Sequence, residues 1–233
     1  MCTVSFVPLQ NGFLLTSNRD EKSYRPTISP QVYAVNEMKL LYPKDEKAGG
    51  TWIVARNDGT SIVLLNGAFI NHIKLPNYSK SRGTILLEII KEKFPLMYFQ
   101  EMNLENIEPF TLIIFQKKTL TEVKWDGVEK HTFEKSIKQP HIWSSATLYN
   151  RKQKNQRKQW FKEFCSNNVP LSIEKIVSFH ATTQASNTEF GLVINREDKT
   201  KTVSITQLLL KTDALEMTYI DRINNATIEK ITF

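Results

Sequence analysis

The sequence predicts a layered α+β domain, on three observations. Strand-like stretches fill the first third and the last sixth of the chain, helical spacing is concentrated between them, and the 233 residues suit one domain with a substantial core. No internal repeat, low-complexity tract or linker divides the chain, so residues 1–233 read as a single unit.

The elements follow in order. Val4, Phe6 and Val7 make a short strand and Phe13 to Thr16 another. Asn11-Gly12 between them is the dipeptide that best tolerates the positive φ angles of a two-residue hairpin. That turn sets Thr3 opposite Asp20, Val4 opposite Arg19 and Cys2 opposite Glu21. Thr27 to Ser29 and Pro30 read as loop, with short strands at Val32 to Val35 and Leu40 to Tyr42. Gly49-Gly50 opens a strong hairpin, Thr51 to Arg56 and Thr60 to Leu65, joined by Asn57-Asp58-Gly59. Ser81 caps a helix whose apolar face carries Ile85, Leu86, Ile89, Ile90 and Phe94, ending near Pro95. Strands follow at Phe110 to Phe115, Glu122 to Trp125 and Ile142 to Ala146. A basic helix from Arg151 to Cys165 and a second from Ile173 to Phe179 come next. Four strands close the chain, at Phe190 to Ile194, Thr202 to Leu210, Leu215 to Tyr219 and Thr227 to Ile231.

Bulk properties exclude several classes. No apolar run approaches the ~20 residues of a membrane span, and the N-terminus lacks the basic start and apolar core of a signal peptide. Two cysteines, Cys2 and Cys165, make a disulfide framework improbable and fit a reducing cytoplasm. His72, His131, His141 and His180 are far apart, with no metal-ligand spacing and no haem-attachment motif, so no cofactor is implied. A net charge of +7 leaves room for an acidic partner. The one dense basic run, Arg151 to Lys158, reads as a solvated helix face. No nucleic-acid module accompanies it, so nucleic acid is not an expected partner.

The chemistry concentrates at the N-terminus. Removal of Met1 is expected before a residue as small as cysteine, and Cys2 would then carry both a thiol and an α-amine. The amine titrates near ~8 and the thiol near ~8.5, so one residue supplies nucleophile and base. The hairpin brings this residue beside Asn18-Arg19-Asp20-Glu21. A carboxylate such as Asp20 can orient the amine, and Arg19 can favour the thiolate or hold a substrate anion. The bland alternative is a small buried cysteine on an edge strand beside a polar turn. Gly49-Gly50-Thr51-Trp52 serves close backbone packing, with Trp52 as core or pocket wall.

Met-Cys at the start, Asn-Arg-Asp-Glu (18–21), Arg25-Pro26 and Gly49-Gly50-Thr51-Trp52 together resemble the NRDE family, which includes the transport and Golgi organisation protein 2 group. The resemblance implies a four-layer αββα sandwich of the N-terminal-nucleophile hydrolase kind. It also implies distant kinship to penicillin V acylase and bile salt hydrolase, which cut non-peptide amides with an N-terminal Cys. By resemblance, Asn66 supplies a backbone N–H to an oxyanion hole; alternatively Asn66-Gly67 only shapes a turn. The family's central Leu-Ser-Asn matches Trp143-Ser144-Ser145, so Ser145 stands where a carboxamide is expected, and Asn150 substitutes only if its loop bends back. Arg82-Gly83 also matches a family position; Arg82 either holds a substrate anion or bridges its loop to a carboxylate. Lys201 and Arg222 are the late cations that remain to be considered.

Two functions follow. One is a cysteine hydrolase of a linear amide or ester: Cys2, Arg19, Asp20, Asn66 and Ser145 catalytic; Asn18, Trp52 and Arg82 binding a small-molecule substrate. The other is a binding or trafficking protein for a lipid, acyl or haem-like ligand on the same fold, which Ser145 favours.

Overall fold

The computed structural model describes residues 3–211, 214–224 and 228–232. Among the described residues, thirteen strands form two sheets. The first has the order β10-β1-β2-β11-β12-β13, the second β3-β4-β5-β6-β7-β8-β9. In the first sheet these are β1 (Thr3–Leu9), β2 (Gly12–Lys22), β10 (His141–Ser144), β11 (Thr200–Leu210), β12 (Leu215–Asp221) and β13 (Ile228–Thr232). The second holds β3 (Thr27–Val35), β4 (Met38–Asp45), β5 (Ile53–Arg56), β6 (Ser61–Asn66), β7 (Phe110–Gln116), β8 (Thr119–Trp125) and β9 (Lys130–Lys135).

Three separate hydrophobic clusters make the layers. Val4, Phe6, Leu15, Trp52, Val63 and Leu208 fill the space between the sheets. Helices α1 (Arg82–Lys91) and α2 (Pro95–Glu101) cover the outer face of the second sheet through Ile85, Ile89 and Phe99. Helices α3 (Arg151–Asn167) and α4 (Ile173–Thr182) cover the first through Phe161, Ile176 and Phe179. The result is the four-layer αββα sandwich. Period-two alternation decides which layer a strand residue joins: Leu15 goes to the inter-sheet core and Leu14 to the helix side. Each such fully buried side chain stabilises by roughly 2 kcal/mol through area removed from water.

Several expectations move. The first hairpin pairs Leu9 with Gly12 and Thr3 with Asn18, two residues off the Asn11-Gly12 register, so Val4 faces Ser17. A shift of two keeps every side chain on its face. Gly12 (φ +143°) is needed at the strand end, because a Cβ there would lie 2.0 Å from the Leu210 carbonyl oxygen. The stretch from Thr27 to Pro30 is strand rather than loop; β3 is an edge strand, and its register shifts between Ile28 and Gln31, where a proline is tolerated. The first helix stops before Phe94, and Pro95 opens α2 instead of only ending α1. Residues 190–194 form turns and bends, not a strand, and β9 was not anticipated. Thr227, the expected start of the last strand, lies outside the described residues.

Candidate active site

Asn18-Arg19-Asp20-Glu21 lies on β2, and strand alternation splits it. Arg19 and Glu21 face the inter-sheet space, Asn18 and Asp20 the helix layer. Opposite this stretch β11 carries an extra residue, with Thr202 pairing Asp20 and Ser204 pairing Arg19. Such bulges re-aim side chains beside sites.

On the inter-sheet side, Arg19 is 1% exposed. Its Nη2 donates to Asp45 Oδ2 (2.6 Å) and its Nη1 to Thr27 Oγ1 (2.8 Å), with the guanidinium carbon 4.6 Å over the Trp52 ring. Burial pulls its pKa below the ordinary value, opposed by Asp45 and Glu21. Asp45 also pairs with Arg25 Nε (2.7 Å) and accepts the Ala48 N–H. Across the gap, Arg82 pairs with Glu108 (3.1 Å) and donates to the Pro109 carbonyl, so it does bridge its loop to a carboxylate. Glu108 also meets His72 Nε2 at 3.2 Å. Arg19, Arg25, Asp45, Arg82 and Glu108, with Trp52 and Asn66, line a cavity of about 170 Å³. That is room for the reacting end of a substrate rather than a whole drug-sized molecule.

The two glycine motifs meet here. A Cβ on Gly50 would lie 2.4 Å from the Gly83 carbonyl carbon, and one on Gly83 would lie 2.8 Å from the Thr51 carbonyl oxygen. The Thr51 N–H donates to Gly83 (3.3 Å). Gly49-Gly50-Thr51-Trp52 and Arg82-Gly83 are thus two sides of one backbone contact, which sets Trp52 and Arg82 on the same cavity.

Asn66 ends β6. The Gly67 N–H donates to the Pro109 carbonyl (2.9 Å), which makes Asn66 and Phe110 a non-hydrogen-bonded pair. The Asn66 N–H and C=O therefore point away from β7. The carbonyl accepts from the Ala146 N–H (3.1 Å) and Ser145 Oγ (2.9 Å). The Asn66 N–H has no partner among the described residues. Nor does the buried indole N–H of Trp52.

The structure does not bring Asn18, Asp20 or Ser145 to the cavity lining. Ser145 is fully buried, and its hydroxyl proton goes to the Asn66 carbonyl. Asn150 caps α3 in a capping box with Gln153 and does not bend back. Lys201 and Arg222 do not line the cavity either. Cys2 lies outside the described residues.

Asn18 and Asp20 belong to a buried network under α3 and α4. Asn18 Nδ2 donates to the carbonyls of His180 (3.1 Å) and Leu192 (2.7 Å), leaving its Oδ1 to accept from His180 Nδ1 (2.6 Å). That fixes the tautomer, so His180 Nε2 accepts from Ser5 Oγ at 2.7 Å. Burial and the Arg157 charge push the His180 pKa down to about 3, and the ring is neutral. Asp20 accepts from Thr202 Oγ1 (2.5 Å) and Tyr149 OH (3.1 Å). Arg157 stacks 4.0 Å over the Tyr149 ring and donates to Ser144 Oγ, the carbonyls of Phe190 and Gly191, and Thr3 Oγ1. Within the run expected to be solvated, Arg157 is the exception, fully buried.

Sequence reasoning missed Arg157, Tyr149, Asp45 and Glu108. Their roles come from partners tens of residues away, and no local pattern marks them. Among the described residues no cluster of His, Cys, Asp and Glu is disposed to hold a metal ion, and no helix is long and apolar enough to cross a membrane.

No curated protein sequence matches the chain. Solved structures do. A Caenorhabditis elegans ortholog of N-acylethanolamine-hydrolyzing acid amidase superposes with a TM-score of 0.62 at 14% identity, covering 89% of this chain and 92% of that one. A variant of conjugated bile acid hydrolase from Clostridium perfringens gives 0.55 at 10% identity, covering 100% and 97%. At these identities the likeness is one of fold, that of the N-terminal-nucleophile hydrolases. A sequence model of the Transport and Golgi organisation 2 family matches residues 1–223, and the chain belongs to that family.

Proposed function

We propose that the chain is an N-terminal-cysteine hydrolase that cleaves a linear, non-peptide amide or ester once Met1 is removed. The observation that carries this reading is the cavity where Arg19, Trp52, Arg82 and Asn66 meet, the Asn66 N–H having no partner among the described residues. Thr3 pairs with Asn18 on one side and Ser144 on the other, and Cys2 is one peptide unit, ~3.8 Å between Cα atoms, ahead of it. Kinship of fold to an acid amidase and a bile acid hydrolase supports the same class.

In this mechanism the Cys2 sulfur adds to the carbonyl carbon while its α-amine takes the thiol proton. The amine passes that proton to the departing nitrogen or oxygen, leaving a thioester. Water, deprotonated by the same amine, then releases the acid and regenerates the thiol. Arg19 favours the thiolate, Asp20 orients the amine, and the Asn66 N–H receives the oxyanion, a contribution of ~3 kcal/mol for a well-placed donor. Ser145 acts through Asn66, by holding its carbonyl. Arg82 and Trp52 shape the substrate end.

The test is intact-mass spectrometry of untagged protein during limiting thiol alkylation from about pH 6 to about 9. Cys165 is a silent internal reference, because burial pushes its pKa up to about 11. Loss of Met1, with Cys2 modified far ahead of Cys165 at a pH below ~8, is the expected result. A retained Met1 sinks the mechanism. A second reading, a non-catalytic binder of an acyl or lipid ligand, is favoured by one observation: the Ser145 hydroxyl is spent on Asn66, so it supplies no second oxyanion donor. A processed Cys2 that alkylates no faster than an ordinary thiol selects that reading.

A further inference from the structure

A second concavity lies on the far side of the Asn66–Ser145 contact. It is an open groove of about 770 Å³ between α3 and the β8–β9 strands, floored by Gly67, Ala68, Ser144 and Ala146. Its walls carry Lys124, Lys135, Arg151, Lys154, Lys158 and Lys162, against one carboxylate among the described residues, Glu122. Lys124 and Lys135 share that carboxylate at 3.0 Å each. The four α3 cations that line the groove, Arg151, Lys154, Lys158 and Lys162, have no ion-pair partner among the described residues; Lys154 reaches the Phe69 carbonyl, at 2.8 Å.

We propose that this groove binds a small, multiply phosphorylated anion between the cationic face of α3 and the Lys124–Lys135 wall. Three features support it over an ordinary solvated helix. The lysines converge from three separate elements, α3, β8 and β9, on one hollow instead of spreading over a convex face. Like charges held together repel, and burial with the nearby Lys124 and Lys158 charges lowers the Lys154 pKa. A bound polyanion removes that repulsion, which is the arrangement a phosphate site needs. The groove's volume is that of a small-molecule site, and its concave walls suit a compact ligand better than a flat bilayer or a duplex. The proposal does not depend on Cys2 chemistry, since no residue assigned to the hydrolytic cavity contributes a cation here.

The experiment is calorimetric titration of the full chain with inorganic triphosphate, beside K158E/K162E and, as a variant of equal net charge, K117E/K118E in the β7–β8 hairpin. Both pairs are exposed, and a thermal melt of each variant checks folding. The expected result is saturable triphosphate binding, weakened roughly tenfold or more by K158E/K162E and little changed by K117E/K118E. Parallel arms use vesicles containing phosphatidylserine and a single-stranded RNA. Triphosphate that gives no heat, or binding that both variants weaken alike, overturns the proposal. So does binding of vesicles or RNA, lost in K158E/K162E, by a protein that ignores triphosphate. If the charge reversal perturbs folding, K158Q/K162Q carries the same comparison.

Discussion

The two faces of β2 carry the same kinds of residue to opposite ends. On the inter-sheet face, Arg19 and Glu21 border a cavity and keep partners that a substrate could compete with or lie against. On the helix face, Asn18 and Asp20 are buried, and the bonds described for them run to His180, Leu192, Tyr149 and Thr202. One tetrapeptide thus supplies both a reactive surface and the footing beneath it. A buried, fully bonded polar network specifies geometry, whereas a half-open ion network leaves charge available.

Substitutions on the two faces should therefore separate stability from reactivity. The largest effect is expected from R157M. It strands two carbonyls and the hydroxyls of Thr3 and Ser144, and should lower unfolding free energy by about 3–5 kcal/mol in a urea titration. A loss below ~1 kcal/mol would mean that water enters and replaces the guanidinium.

His180 gives a pH test of the sealed face. Its folded pKa, about 3, lies below the unfolded ~6.5, so the unfolded chain binds the extra proton between those values. Stability should fall as pH falls through that window, at about 1.4 kcal/mol per pH unit more steeply in the parent than in H180Q. Parallel curves for the two proteins would show that the ring is not held neutral.

The open face should respond in rate. R19Q leaves Asp45 with Arg25 and the Ala48 N–H, so its stability cost should be only ~1–2 kcal/mol. If Arg19 favours the thiolate, alkylation of Cys2 near neutral pH should slow roughly tenfold, the effect of one pKa unit. Unchanged alkylation would remove Arg19 from the chemistry. The smallest change is expected from E21Q, whose pairing with Arg25 is long (3.5 Å) and part-exposed; its melting curve should move by less than ~1 kcal/mol.

What the sequence made legible follows from range. Alternation in β1 and β2, the Asn57-Asp58-Gly59 hairpin and the Ser81 cap are local, and all appear in the structure. The first hairpin departs from the Asn11-Gly12 register where Gly12 answers to Leu210, nearly two hundred residues on, rather than to its own turn. Phe190 to Ile194 has strand-like letters, yet its carbonyls at Phe190 and Gly191 turn to Arg157 instead of joining a ladder. In the basic helix, Arg157 and Lys158 are alike in charge and adjacent, and only the packing of α3 sends one inward and leaves the other in solvent. Within the site, the motif letters marked Arg19, Trp52, Asn66 and Arg82, all of which line one cavity. Their acidic counterparts, Asp45 and Glu108, carried no local sign.

The tie between Asn66 and the Ser145–Ala146 backbone has a mechanical consequence. Asn66 belongs by its ladder to one sheet, but its carbonyl is pinned to the segment that follows β10, the strand lying against β1 in the other. Any thermal breathing that widened the gap between the sheets would have to be taken up elsewhere in the sandwich. At this end, the peptide of Asn66 and the start of β1 travel in one frame of reference, and the distance between them is insulated from the looseness of the layers around it.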